Sequence, residues 1–334
     1  MSYSSQVTHL VPLIHQSESF ILTTHRHCDG DGLGAELAMA ESLRRLGKKV
    51  DVINLDRTPK KYRFLKPDDK ISYFEEWTEN RKIFVDLALV FDTNDCRLLP
   101  GFFEYLQTHA KKTVFIDHHP VLENGPLPPS GSIINTLAAS TGEMTFDLIK
   151  ALGIELDEKI ARYLYTSVVF DTQLFRFIRN SPRSHEICAE LLKQPINALE
   201  IHRGLFANQT PQKIAFLAKA LNQIEYYQDS KIALLKIQKE DLLSHNLETD
   251  ESRDVIDMLM NIEKLEIAVL IREDSSQEFK VSLRSKGTYS LLSTAEKLGG
   301  GGHIFSAGAY VRGNYMTLHS ELLDQLSLLF PKSD

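Results

Sequence analysis

Thr113-Val114-Phe115-Ile116-Asp117-His118-His119 is the stretch on which the fold turns. Its first four residues are β-branched or aromatic and apolar, the composition of a buried strand. The three that follow place a carboxylate and two imidazoles where such a strand meets solvent. Adjacent histidines at a strand end are hard to explain by packing, and the position suits a metal. Two more apolar runs end the same way. Phe20-Ile21-Leu22-Thr23-Thr24 leads into His25, Asp29 and Asp31, and Leu87-Ala88-Leu89-Val90-Phe91 leads into Asp92. Three strand ends then offer ligands to one crevice, which is where open α/β sheets bind.

Working outward, strand and helix patterns alternate through the first half. Leu33, Leu37, Ala40, Leu43 and Leu46 recur at helical spacing over 32–46, with Gly47 suited to follow the helix C-terminus. Strands are predicted over 50–55, 87–92, 113–117 and 132–136, with a helix near 101–109. Such alternation predicts an α/β fold with a doubly wound, mainly parallel sheet. From 140 the pattern turns helical, over 141–152 and 157–169, with a third helix opened by Ser181-Pro182 as N-cap and first-turn proline. Beyond a helical connector, strands over 231–237, 265–272 and 279–284 interleave with helices near 252–261, 290–298 and 315–329. That is a second, smaller α/β domain. The expected division is 1–193, connector 194–227 and 228–334.

Composition limits the function. At 334 residues the chain exceeds the usual single-domain length of roughly 100 to 200. A formal charge of -7 gives no global basic field for long duplex nucleic acid, so any polyanion must be held locally. Cys28, Cys96 and Cys188 are odd in number and widely spaced, which suggests neither a disulfide framework nor a structural zinc site. With no leader-like N-terminus and no apolar stretch approaching ~20 residues, a soluble cytoplasmic protein without membrane association is expected. A homodimer is compatible with this reading.

Each cluster has a plainer explanation. Asp and Gly in His25-x-x-x-Asp29-x-Asp31 are also ordinary turn formers. Asp171, however, ends an apolar helix where the dipole disfavours an anion, which points to a compensating cation. Gly299 to Gly302 would usually be a linker, but the run lies inside a domain and is followed by His303; glycines there would let backbone N–H groups approach a phosphate. Arg284 and Lys286 flank Ser285 on a strand, as a phosphate grip or as an exposed basic edge. The basic and aromatic stretch 57–66 is assigned no site role.

Together His25-x-x-x-Asp29-x-Asp31, Asp92, Asp117-His118-His119, Asp171 and Gly299-Gly-Gly-Gly-His303 resemble the DHH phosphoesterase superfamily with its DHH-associated C-terminal domain. The resemblance covers nearly the whole chain and is greatest to the nanoRNase and 3'-phosphoadenosine 5'-phosphate phosphatase group. It implies two Mn²⁺ ions, with other divalent ions able to substitute. His25, Asp29 and Asp92 would hold one, and Asp31, Asp92, His118 and Asp171 the other, with Asp92 bridging. Asp117 would orient a histidine, and His119 would face the scissile phosphate. The C-terminal domain would clamp the substrate through Arg284, Ser285, Lys286, Gly300, Gly301, Gly302 and His303. The implied activity is hydrolysis of very short oligonucleotides to mononucleotides, with 3'-phosphatase action on adenosine 3',5'-bisphosphate. Cyclic-dinucleotide cleavage, pyrophosphatase or exopolyphosphatase activity, and a nucleotide-sensing module without turnover are the alternatives. Degenerate sensors usually lose a ligand, and here every ligand is present.

Overall fold

The computed structural model describes residues 3–65, 71–78, 83–122, 125–207 and 209–330. The chain divides into two compact units, Met1–Asn208 and Gln209–Asp334.

The first unit runs α1 (Tyr3–Gln16), β1 (Ser19–Thr24), α2 (Gly30–Arg45), β2 (Lys49–Asn54), β3 (Ser72–Tyr73), α3 (Phe74–Thr78), β4 (Val85–Phe91), α4 (Phe102–His109), β5 (Ala110–Asp117), β6 (Ile133–Ile134), α5 (Thr141–Ala151), α6 (Glu158–Asp171), α7 (Arg183–Leu191) and α8 (Ala198–Phe206). Its six described strands form one sheet in the order β3-β2-β1-β4-β5-β6, and every pairing is parallel. Strands of this kind are buried on both faces, so their residues alternate between two cores. Phe20, Leu22, Leu87, Leu89, Phe91, Val114 and Ile116 join one core with residues of α1, α2, α5 and α6. Ile21, Ala88, Val90 and Phe115 join the other, with Phe102 and Leu106 of α4 and Trp77 of α3. The doubly wound parallel sheet expected from the sequence is present. Chain order reverses between β1 and β4, and their carboxyl ends, leading to His25 and Asp92, lie at that switch point.

Helix α2 is buried over nearly its whole length because it packs between the sheet and α6. Its first turn is crowded. A Cβ at Gly30 would meet the Phe170 ring at 2.6 Å, and one at Gly32 would meet Thr24 Oγ1 at 2.1 Å. Glycines there let the helix start close against both β1 and α6. At α7 the structure moves the expected cap by one residue: Pro182 is the N-cap, while Ser181 Oγ accepts from Arg183 N at 3.2 Å. Lys66, the last residue of the basic stretch 57–66, lies outside the described residues.

The second unit runs α9 (Pro211–Leu221), β7 (Glu225–Tyr227), β8 (Ile232–Ile237), α10 (Lys239–Ser244), α11 (Arg253–Leu259), β9 (Ile267–Ser275), β10 (Glu278–Ser285), α12 (Leu292–Lys297), β11 (Gly301–His303), β12 (Ser306–Arg312) and α13 (Tyr315–Ser327). Its sheet has the order β11-β12-β10-β9-β8-β7, with β8 and β9 parallel and the other neighbours antiparallel. The two units part within the stretch 194–227 that reads as a connector, so α8 belongs to the first and α9 to the second. No helix among the described residues is long and apolar enough to cross a membrane.

Candidate metal centre

Asp92 is the hub. It follows β4 in a left-handed backbone conformation, φ 61°, which Asp tolerates better than most residues. Its N–H still donates to Ile116 O of β5 at 3.0 Å. The side chain is almost wholly buried, and its two oxygens face different partners. Oδ2 lies 3.4 Å from His25 Nε2, while Oδ1 lies 3.6 Å from His118 Nε2 and 3.7 Å from His119 Nδ1, and accepts from Thr141 Oγ1 at 3.1 Å.

The neighbouring ligands are set by backbone contacts. A carbonyl can only accept, so contacts to carbonyls fix the histidine tautomers. His25 Nδ1 donates to Arg26 O at 2.7 Å, turning Nε2 toward Asp92. His118 Nδ1 donates to Ala138 O at 3.2 Å, and Nε2 faces Asp31 Oδ2 and Asp171 Oδ2, both at 3.5 Å. Asp29 is the N-cap of α2, accepting from Asp31 N and Gly32 N. Asp31 is held by the opening turn of α5, through Thr141 N at 2.8 Å and Gly142 N at 3.1 Å, and by the Ser167 hydroxyl. Potential ligand atoms of His25, Asp29 and Asp92, of Asp31, His118 and Asp171, and of Asp92, Asp117 and His119 lie within 4.8 Å of one another in each set. All eight residues expected at the centre therefore come together.

Electrostatics divides them into roles. Burial and the charges of Asp92 and Asp171 push the Asp31 pKa well above its usual value, and burial and Asp29 do the same for Asp92. Like charges packed this closely call for a cation. His118, buried among other groups, is pushed down to about 3 by burial and by His119, which keeps its imidazole neutral and fit to be a ligand. His119 goes the other way. Burial works against its charge, but Asp117, through charge and a 2.8 Å hydrogen bond to Nδ1, together with Asp92 and Asp171, raises it to about 10. Burial would raise the pKa of Asp117, and the His119 charge overcomes this and holds it low. Asp117 is completely buried, and its Oδ1 accepts from His119 Nδ1.

The donor set is carboxylate and imidazole without thiolate, which fits hard divalent ions such as Mn²⁺. Several contributors went unread in the sequence. Asn94 Nδ2 donates to Asp117 Oδ2 at 2.6 Å and to His119 O at 2.9 Å, fixing both. Its position two residues after a ligand aspartate was the available signal. Thr141 and Ser167 carried none, since they reach the site from helices more than 45 residues away in sequence.

In the second unit, the expected substrate residues have local partners. Ser285 is buried, and its Oγ accepts from Gly287 N and Tyr289 N. Lys286 lies just past β10, and its Nζ donates to Ile262 O at 2.5 Å and Glu263 O at 2.9 Å, at the turn after α11. Gly299 N and Gly300 N donate back to Glu296 O and Ala295 O, ending α12. Gly301, Gly302 and His303 form β11, and a Cβ at Gly302 would meet Ser306 O at 2.6 Å. The glycine run is thus a helix stop followed by a tightly packed edge strand. Arg284 donates from Nη1 to Leu283 O at 3.1 Å and is partly exposed.

Residues 19–168 match the DHH family, N-terminal domain, and residues 229–327 match the DHHA1 domain. The chain is 27% identical over 294 residues to the bifunctional oligoribonuclease and PAP phosphatase NrnA of Thermus thermophilus, covering 87% of this chain and 84% of the relative. It is 25% identical over 309 residues to the NrnA of Bacillus subtilis, covering 91% and 93%. A solved exopolyphosphatase-related protein from Bacteroides fragilis has the same fold, with a TM-score of 0.87, 21% identity, and coverage of 98% of this chain and 97% of that one.

Proposed function

The chain belongs to the DHH family of phosphoesterases, and from that premise we propose that it is a Mn²⁺-dependent phosphodiesterase that degrades linear dinucleotides and other very short oligonucleotides to mononucleotides. The observation that carries the reading is the two-sided Asp92 carboxylate, with His25 and Asp29 grouped on one side and Asp31, His118 and Asp171 on the other. In this proposal Asp92, His25 and Asp29 would hold one cation, and Asp92, Asp31, His118 and Asp171 a second. Action on the 3'-phosphate of adenosine 3',5'-bisphosphate fits the same centre, and the names of the two NrnA relatives favour it.

When bound, divalent cations polarise the phosphoryl oxygens and activate water as the nucleophile. The chain's own contribution is positional and protonic. His119 is tied at Nδ1 by Asp117, whose carboxylate favours the protonated ring, and Nε2 would be the atom from which a proton passes to the departing oxygen. Asn94 and Asp117 keep that ring from rotating. Arg284 and His303 are proposed to hold substrate phosphate. The local contacts of Lys286 and Ser285 leave them to shape the loop beside Arg284.

The test is one panel with Mn²⁺: pApA, adenosine 3',5'-bisphosphate, cyclic di-AMP, pyrophosphate, and a ladder of oligonucleotides from two to about twenty residues. A net charge of -7 offers no basic track for long strands. The expected result is highest kcat/KM on the dinucleotide, falling with length. A rate that rises steadily with length, or a preference for pyrophosphate, overturns the reading.

A further inference from the structure

Behind the metal centre lies a polar pair that no ligand motif includes. Glu36 on α2 is completely inaccessible, and Asn54, the last residue of β2, is 1% exposed. Asn54 Nδ2 donates to Glu36 Oε1 at 2.7 Å. Asn54 Oδ1 accepts from Thr24 N and from Thr23 Oγ1, both at 3.3 Å. The amide orientation follows from these partners: a backbone N–H can only donate, so Oδ1 must face Thr24, and Nδ2 is left for Glu36.

The location gives this pair its significance. The β1–β2 ladder is registered from Ser19↔Lys49 to Leu22↔Val52, and the Asn54 side chain carries the tie on to Thr24. Thr24 immediately precedes His25. Its own hydroxyl donates to Phe91 O at 3.0 Å, and Phe91 immediately precedes Asp92. Glycine at 32 leaves the room for that hydroxyl. Glu36, Asn54 and Thr24 therefore link α2, β2, β1 and β4 at the point where the last two strands release their ligands.

We propose that Glu36 and Asn54 are positioning residues for the metal centre, acting through Thr24 on His25 and Asp92. Burying two polar side chains in a parallel-sheet core is unfavourable unless they are paired, and an apolar pair of similar volume would pack as well. Their value lies in the geometry they impose, since ligands must be held to within about 0.5 Å for a site to work. Burial pushes the Glu36 carboxyl up to about 8, against the opposing effects of the Asn54 hydrogen bond and His25, so the acid is largely neutral at pH 7. It then serves as a hydrogen-bond acceptor for Asn54, a role that glutamine can fill.

The inference rests on the metal assignment above, and the experiment separates the two. Mn²⁺ affinity of the full chain is measured by calorimetry, alongside thermal unfolding in EDTA, for wild type, Glu36→Gln, Glu36→Leu and Asn54→Ala. Partners that orient ligands typically change affinity by about 10- to 100-fold. Glu36→Leu and Asn54→Ala should each weaken Mn²⁺ binding by at least about tenfold on that scale, while Glu36→Gln stays within about twofold of wild type. If Glu36→Leu does not fold, Asn54→Ala alone decides. Lower melting temperatures with wild-type Mn²⁺ affinity would reduce the pair to ordinary core and overturn the inference. A wild-type protein that fails to bind Mn²⁺ would instead overturn the metal assignment.

Discussion

Replacing Asp92 by Asn should make the metal-free protein more stable and the metal-loaded protein less so. Asparagine tolerates the left-handed backbone that Asp92 adopts, and its amide oxygen can still accept from Thr141, so the shape of the site is kept. The charge is what changes. Ligand oxygens of Asp92 and Asp29 lie within 4.8 Å of each other, and two unit charges at that range repel by about 3 kcal/mol at an effective dielectric of ~20. The His119 cation, 3.7 Å from Asp92, offsets a similar amount. Burial and the further charges of Asp117 and Asp171 then remain against the ionised form, in keeping with the raised pKa. Each kcal/mol of that penalty removed by Asp92→Asn corresponds to roughly 2 to 4 °C for a unit of this size. With Mn²⁺ the order should invert. Wild type at 100-fold excess over its dissociation constant gains about 2.7 kcal/mol, and the variant, lacking the shared ligand, should gain little. Scanning calorimetry in EDTA and in Mn²⁺, with pApA hydrolysis in parallel, reads both signs. An Asp92→Asn protein that melts below wild type in EDTA, or that keeps the full Mn²⁺-induced shift, would refute the argument.

Two further substitutions separate proton transfer from substrate grip. Without bound metal, Asp117, with Asp92 and Asp171, raises the His119 pKa to about 10 against the effect of burial, so the protonated ring is present below that value and lost as pH rises through it. Asp117→Asn should lower the His119 pKa and draw the alkaline limb of the kcat profile to lower pH with little change in KM; an unmoved limb would remove His119 from the acid role. Arg284→Ala should raise KM for pApA roughly 10- to 100-fold, from the loss of a charge-assisted hydrogen bond worth about 1.5 to 3 kcal/mol. Turnover of bis-p-nitrophenyl phosphate and Mn²⁺ affinity should be unaffected, and equal losses on both substrates would count against phosphate grip.

The part of the fold that sequence made legible is the part governed by local composition. Phe20–Thr24, Leu87–Phe91 and Thr113–Ile116 are buried on both faces because helices cover both sides of a parallel sheet, and such largely apolar runs stand out wherever they occur. Their ends carry the carboxylates and imidazoles that the fold gathers, so that grouping was legible as well. Strand order was not. The adjacency of β1 and β4, which puts His25 opposite Asp92, is a tertiary fact carried by hydrogen bonds between segments some 67 residues apart. Weak local signals hid other elements. Helix α1 carries Pro12 in its interior, β3 is two residues long, and β12 contains Ala-Gly-Ala. Gly299 to Gly302 are ambiguous for a related reason: glycines that permit close approach look alike whether the approaching group is a phosphate or, as at Gly302, the carbonyl of Ser306. Glu36 and Asn54 lie at the far limit. Neither falls in a ligand motif, and a glutamate in an apolar helix reads as a solvated face until the structure buries it. A polar side chain that acts only through its partner leaves no pattern in its own neighbourhood, so the residues that orient a site are harder to read from sequence than those that form it.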